Sequence, residues 1–132
     1  MTLVVPNVGE VLALEQYLES EDLFMRLYSN NVTPGETDTA ATYTQVAGGG
    51  YAQKTLDKDN WTIVAGAPST GTYAQQVWNF TGATTAPGTI YGIYVVDAAG
   101  VLRWAERFGA SIVPFSPIAG RTIRYTPVFS AS

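Results

Sequence analysis

The sequence predicts a mainly β domain, an antiparallel sandwich or barrel that carries one short N-terminal helix. Three observations lead there. Sixteen threonines and eight tyrosines among 132 residues suit pleated surfaces, and thirteen glycines supply tight turns. Runs of alternating apolar residues recur with turn signals about every ten positions, the spacing of short antiparallel strands. The stretch YGIYVVDAAGVLRWAERF, residues 91–108, reads as two strands joined by a four-residue turn. A chain of this length removes roughly two thirds of its unfolded surface from water, enough for one core. With 46% hydrophobic and 14% charged residues, it lacks the composition of a disordered chain.

Residues 1–7 read as an extended arm and residues 8–132 as a single β-rich domain with a helix near 8–20. Residues 2–5 form an apolar extended piece that Pro6 ends. Asn7 and Glu10 fit the capping pattern in which each side chain satisfies an orphan amide, so the helix begins near Val8. Val11, Leu14 and Leu18 follow at helical spacing with Val8 and Leu12 flanking them, giving a core-facing stripe on which Glu15 intrudes. Tyr17 and Ala13 lie on the opposite side, an apolar spot that faces outward when the helix docks on its own sheet.

DLFMRLYS, residues 22–29, alternates Leu23, Met25 and Leu27 against Phe24, Arg26 and Tyr28, the period-two signature of a strand. NNVTPGETDT, residues 30–39, concentrates turn formers and reads as a long surface loop. Further strands are expected at 42–46, 51–56, 61–65 and 73–80, separated by AGGG, DKDN and GAPSTG. After GATTAPGT comes the hairpin, and RTIRYTPVF supplies one last strand that Pro127 pushes toward an edge. Neither an internal repeat nor an interdomain linker is visible.

In the hairpin, DAAG (97–100) reads as a type I turn whose glycine takes the left-handed conformation and starts a bulge. Tyr94 and Val96 point one way and Tyr91, Ile93 and Val95 the other, so this strand is covered on both sides. On its partner, Leu102, Trp104 and Phe108 share one face and Arg103, Ala105 and Arg107 the other. The mixed face is open to three covers: the N-terminal helix, a second sheet or another subunit. Trp104 reads as core, and its truncation to alanine is expected to cost about 3–5 kcal/mol. Glu106 on the same face calls for an arginine partner, with Arg26, Arg121 and Arg124 as candidates, or for a place beyond the buried region.

The chain has no cysteine and no histidine. That excludes disulfides, thiolate nucleophiles, imidazole bases, triads and the commonest metal-ligand sets. A net charge of −4 with scattered cations argues against nucleic acid. Charge is uneven along the chain. Residues 1–60 carry −6 and residues 61–132 carry +2, an asymmetry that either mixes within one globule or favours head-to-side packing between copies. MTLVVPNVGE lacks the basic region and apolar run of a signal peptide, and nothing approaches the roughly 18 apolar residues of a membrane span. The sequons at Asn31, Asn60 and Asn79 are those a threonine-rich chain generates by chance.

Only Asp97 and Glu106 supply carboxylates in the second half, and as a glycosidase pair they are expected to sit too far apart. DKDN opens like a calcium loop but lacks the glycine and glutamate that complete one. AGGG lacks the Gly-Lys-Ser/Thr of a phosphate loop. Exposed rings could stack on sugars, yet Trp61, Trp78 and Trp104 each sit beside apolar neighbours and read as core. No catalytic, cofactor-binding or metal-ligating residue is assigned.

The stretches VPNVGEVLALEQYL (5–18), LFMRLYSNNVTP (23–34), YAQKTL followed by Trp61, YGIYVVDAAGVLRWAERF (91–108) and TPVF span most of the chain in order. In these the chain resembles short structural proteins that tailed bacteriophages encode beside their major capsid genes, similar to capsid decoration, or cement, proteins. The resemblance implies a non-enzymatic virion protein, made in the host bacterial cytoplasm and placed on the outer capsid surface. It implies a homotrimer whose other partner is the major capsid protein, without cofactor, nucleic acid or membrane. Interfaces of that kind concentrate their energy in aromatic and arginine residues, which selects Tyr91, Arg103, Arg107, Arg121 and Arg124. Val4 and Val5 in the arm, able to add to a neighbour's sheet edge, and Tyr17 on the helix complete the set. The alternatives are a tail or fibre component with a carbohydrate- or receptor-binding surface, and a small hydrolase using Asp97 and Glu106.

Overall fold

Two central strands, one of them buried along its whole length, organise the fold. The computed structural model describes residues 4–131, so residues 1–3 of the expected arm lie outside the described residues. The helix α1 (Asn7–Leu18) precedes β1 (Leu23–Tyr28), β2 (Lys54–Leu56), β3 (Thr62–Val64), β4 (Ser69–Thr72), β5 (Gln76–Asn79), β6 (Gly92–Val96), β7 (Leu102–Arg107), β8 (Thr122–Tyr125) and β9 (Val128–Ala131). The fold is mainly β with one short helix, and its strand pairs are antiparallel. They form a four-stranded sheet β2-β1-β6-β7, a three-stranded sheet β3-β4-β9 and a two-stranded ribbon β5-β8.

The inner face of the four-stranded sheet, carrying Leu23, Met25, Leu27, Ile93 and Val95, meets Leu14 and Leu18 of α1 in one core. Trp78 of β5 and Ile123 of β8 close that core from the ribbon side. Residues such as Leu18, Met25, Ile93 and Val95 have no exposed surface. Burying a side chain of this size contributes about 1.5–3 kcal/mol, so this layer dominates stability.

The outer face of the same sheet has its own cover. Tyr28, Tyr94 and Val96 pack with Tyr43, Val32 and Ala40, which belong to the segment 30–43. The Tyr43 ring stacks on Tyr94 at 5.1 Å and meets Tyr28 at 4.9 Å. Val32 from the stretch read as a surface loop, with Ala40 and Tyr43 from just beyond it, therefore covers the sheet's second face, a role for which the sequence left helix, sheet or subunit open.

The hairpin turn has the expected chemistry. Gly100 adopts φ +82°, its amide donates to the Asp97 carbonyl at 2.9 Å, and the Asp97 amide donates to the Val101 carbonyl at 3.0 Å. A further bulge follows, because Val95 pairs with Trp104 but Val96 pairs with Leu102, leaving Arg103 as the extra residue. This corrects the expected facing of β7: Leu102 joins Tyr94 and Ala105 on the outer side, while Trp104 stays inside. Gly92 is required where β6 passes β7, since a Cβ there would strike the Glu106 carbonyl and the Tyr28 ring.

Other expectations are corrected by long-range contacts. The Asn7–Glu10 capping pair does not form: Pro6 is the N-cap, and the buried Glu10 carboxylate accepts from the Ser69 amide at 3.4 Å. With Glu10 turned inward, Val8 and Leu12 are 73% and 56% exposed, outside the core stripe expected of them. GAPSTG is no simple loop, for Ser69 and Gly71 belong to β4, the centre of a sheet, and Leu18 lies directly over Gly71. The last strand is two: β8 pairs with β5, and past Pro127 the chain crosses to pair β9 with β4. The expected strand at 42–46 is reduced to a bridge between Gln45 and Tyr28, preceded by a 3₁₀ turn at Ala40–Thr42.

Candidate interaction surfaces

Arg103 is held where the bulge of β7 aims it at α1. Its Nε donates to Asp97 at 3.1 Å, one terminal nitrogen to Glu21 at 3.2 Å, and the other to the Tyr17 carbonyl at 3.3 Å. The guanidinium also lies 5.3 Å from the centre of the Tyr17 ring, whose hydroxyl donates to the Arg103 carbonyl. Cationic charge at the last turn of α1 complements the helix dipole. Tyr17 itself is half-buried, stacked on Phe129 at 5.0 Å and 6.1 Å from Trp104. Tyr17 therefore does not present the outward apolar spot expected of it, and together with Arg103 it joins the helix to the sheets.

Asp97 accepts from the amides of Val101 and Ala99 at 3.0 and 2.9 Å, as well as from Arg103. The Val101 amide above all, with Arg103 and Ala99 in support, holds its carboxyl below the usual carboxylate range. Glu106 lies on an exposed part of β7 and accepts the Tyr125 hydroxyl at 2.7 Å, so none of the three candidate arginines is its partner. Burial, reinforced by this bond, pushes the Tyr125 phenol well above its ordinary value. Glu106 stands opposite Ile93, four strand positions from Asp97, or about 13 Å at 3.3 Å per residue. That exceeds the roughly 5–9.5 Å over which two carboxylates share a glycoside.

Arg107 and Tyr91 are likewise engaged inside the chain. Arg107 stacks over Tyr91 at 5.1 Å and donates to Asn31 at 2.9 Å and to the Val32 carbonyl at 3.1 Å, pinning the covering segment 30–43. Trp61 and Trp78 are buried core residues, and Trp104 packs against the core half-exposed. Trp78 donates to the Ala52 carbonyl at 3.0 Å, whereas the buried Trp61 nitrogen has no partner among the described residues.

The remaining candidates are surface groups. Arg121 stacks on Phe115 at 4.2 Å and donates to the Ser116 carbonyl, and Arg124 donates to the Thr122 hydroxyl at 3.2 Å. Neither meets a carboxylate among the described residues, where both ion pairs converge on Arg103. The two arginines flank a hollow of about 200 Å³ with Phe108, Phe115 and Ile123 in its wall and Ile112 at its edge. Val4 and Val5 are 78% and 47% exposed, and Val5, lying against Gly9, makes an aliphatic ridge with Val8 and Leu12 at the start of α1. The sequence points singly to Val4, Val5, Arg121 and Arg124 as interface candidates but puts Val8 and Leu12 in the core and gives no reading of the connection 109–120, so it assembles neither the ridge nor the hollow. Ile112, Val113 and Phe115 in that connection were the available signal, because loop residues of such hydrophobicity need a neighbour to cover them.

A larger, shallower hollow of about 440 Å³ lies between residues 34–38 and β7, with Glu36, Asp38, Tyr43 and Trp104 in its lining. The Tyr43 hydroxyl and the Gly35 amide hold the Asp38 carboxyl below the usual range. Among the described residues no cluster of three or more potential metal ligands occurs, and no helix is long and apolar enough to cross a membrane. Comparison with family models, curated proteins and solved structures returned no match.

Proposed function

We propose that this chain is a non-enzymatic structural protein of a tailed-bacteriophage virion, a decoration protein that binds the outside of the assembled shell and stabilises it by adhesion. The reading starts from the sequence resemblance. The observation that supports it is the division of labour among charged and apolar groups. Asp97 and Glu106, the carboxylates a hydrolase would need, hold a turn and a ring hydroxyl. Arg121, Arg124 and four aliphatic side chains near α1 sit at the surface, where an adhesive protein uses such groups. A standard interface takes about 800 Å² from each partner. Against a total surface of 7272 Å² that leaves room for one contact with the shell and others with further copies.

The test is co-sedimentation of the purified protein with expanded shells that lack it, followed by cryo-electron microscopy of the parent particle. Saturable binding and density for this chain on the outer surface are expected, with the free protein running as a trimer. A monomer that ignores the shells would overturn the proposal. A second reading, a tail or fibre component that binds sugars, draws on the hollow beside Tyr43 and Trp104, where rings and the carboxylates of Glu36 and Asp38 adjoin. Saturable quenching of tryptophan fluorescence by glycans would favour it.

A further inference from the structure

The ridge and the hollow carry complementary chemistry on one chain. Val8 and Leu12 are one helical turn apart, and Val5 lies back against Gly9, so these three exposed aliphatics share one side of the start of α1. The exposed carboxylate of Glu15 follows one turn after Leu12 on that side. The hollow has the matching parts: the exposed Ile112, the last uncovered surface of the core residues Phe108, Phe115 and Ile123, and the guanidiniums of Arg121, stacked on Phe115, and Arg124. Ridge and hollow thus fit apolar to apolar and anion to cation.

We propose that the ridge Val5, Val8 and Leu12 of one copy docks into the hollow between Phe108, Ile112 and Phe115 of the next, with Glu15 set against Arg121 and Arg124. The occupant is a second copy because the chain itself supplies both halves: an exposed carboxylate, Glu15, beside the ridge, and two exposed arginines at the hollow that meet no carboxylate among the described residues. Contact between two different patches is heterologous, so repeated copies close into a ring or extend as a filament according to the rotation between them. The inference rests on the self-association part of the reading above and is independent of what the shell provides.

Sedimentation of the full chain tests it. Val8→Lys with Leu12→Lys, and separately Arg121→Glu with Arg124→Glu, alter exposed side chains, and circular dichroism should match the wild type. Each double variant alone should associate at least about 30-fold more weakly, the scale of a hot-spot loss. Mixing the two should restore a two-chain particle, because one retains an intact hollow and the other an intact ridge. Wild-type mass in either variant, no recovery on mixing, or a wild type that stays at 14.1 kDa would overturn the inference. Shell binding is read separately: a monomer that binds shells sinks the docking and spares the decoration role, and an assembling chain that ignores shells does the reverse.

Discussion

Asp97 shows how one residue can be legible in type and illegible in role. Its place at the head of DAAG follows from turn chemistry, and the left-handed Gly100 meets that expectation. That its carboxylate also anchors Arg103, and through it α1, depends on the bulge, which no local pattern announces. Because the folded carboxyl titrates below its unfolded value, its contribution is present above the ordinary value of about 3.9 and is lost as pH falls through the lower folded value. Asp97→Asn should therefore lower Tm near neutral pH, and the gap to wild type should close in acid. A gap independent of pH, measured by calorimetry across that range, would contradict the assignment.

At the scale of elements, β1 and the β6–β7 hairpin were legible because alternation and turn residues are local properties, and β1 and β6 lie where two faces are covered. The helix was legible in extent but not in orientation. Its aliphatic residues fill much of its circumference, so spacing alone could not choose between Val8 and Glu10 as an inward residue. The Ser69 amide, 59 positions away in sequence, decides it. The energetics should divide in the same way. At concentrations where copies are separate, Leu18→Ala should cost about 3 kcal/mol, because the side chain is fully buried over Gly71. Leu12→Ala should stay within about 0.5 kcal/mol. Urea titration distinguishes the two outcomes. β4 escaped sequence reading for the converse reason: Ser69 and Gly71 are small where α1 presses on the sheet, and small residues look like loop.

At the scale of the molecule, the charge division along the sequence becomes a division of tasks. Arg103 takes both ion pairs recorded among the described residues, with Asp97 and Glu21. The Glu21 pair is partly exposed and contributes less than about 1 kcal/mol, so its value lies more in aiming Arg103 than in stability. Arg121 and Arg124 are left to act outward. If they meet a neighbour's carboxylates, association should weaken as ionic strength rises from about 0.1 to 1 M, over which the screening length falls from about 10 to 3 Å. Arg121→Gln with Arg124→Gln should flatten that dependence in sedimentation experiments. An unchanged salt slope would place the attraction elsewhere.

The sequence by itself determined the mainly β character, the single N-terminal helix, the two central strands and the absence of imidazole and thiol chemistry, since composition, alternation and turn residues act over a few positions. Tertiary structure decided which candidates serve the fold and which remain on the surface. Tyr17, Arg103 and Arg107 are held by partners about 75 to 86 positions away and Tyr91 lies under the Arg107 guanidinium, while Arg121, Arg124, Val4 and Val5 stay outside. The physical reason is that a side chain's partner is set by which strands meet, and the meeting of β7 with α1 and with segment 30–43 is written in the packing of the whole chain.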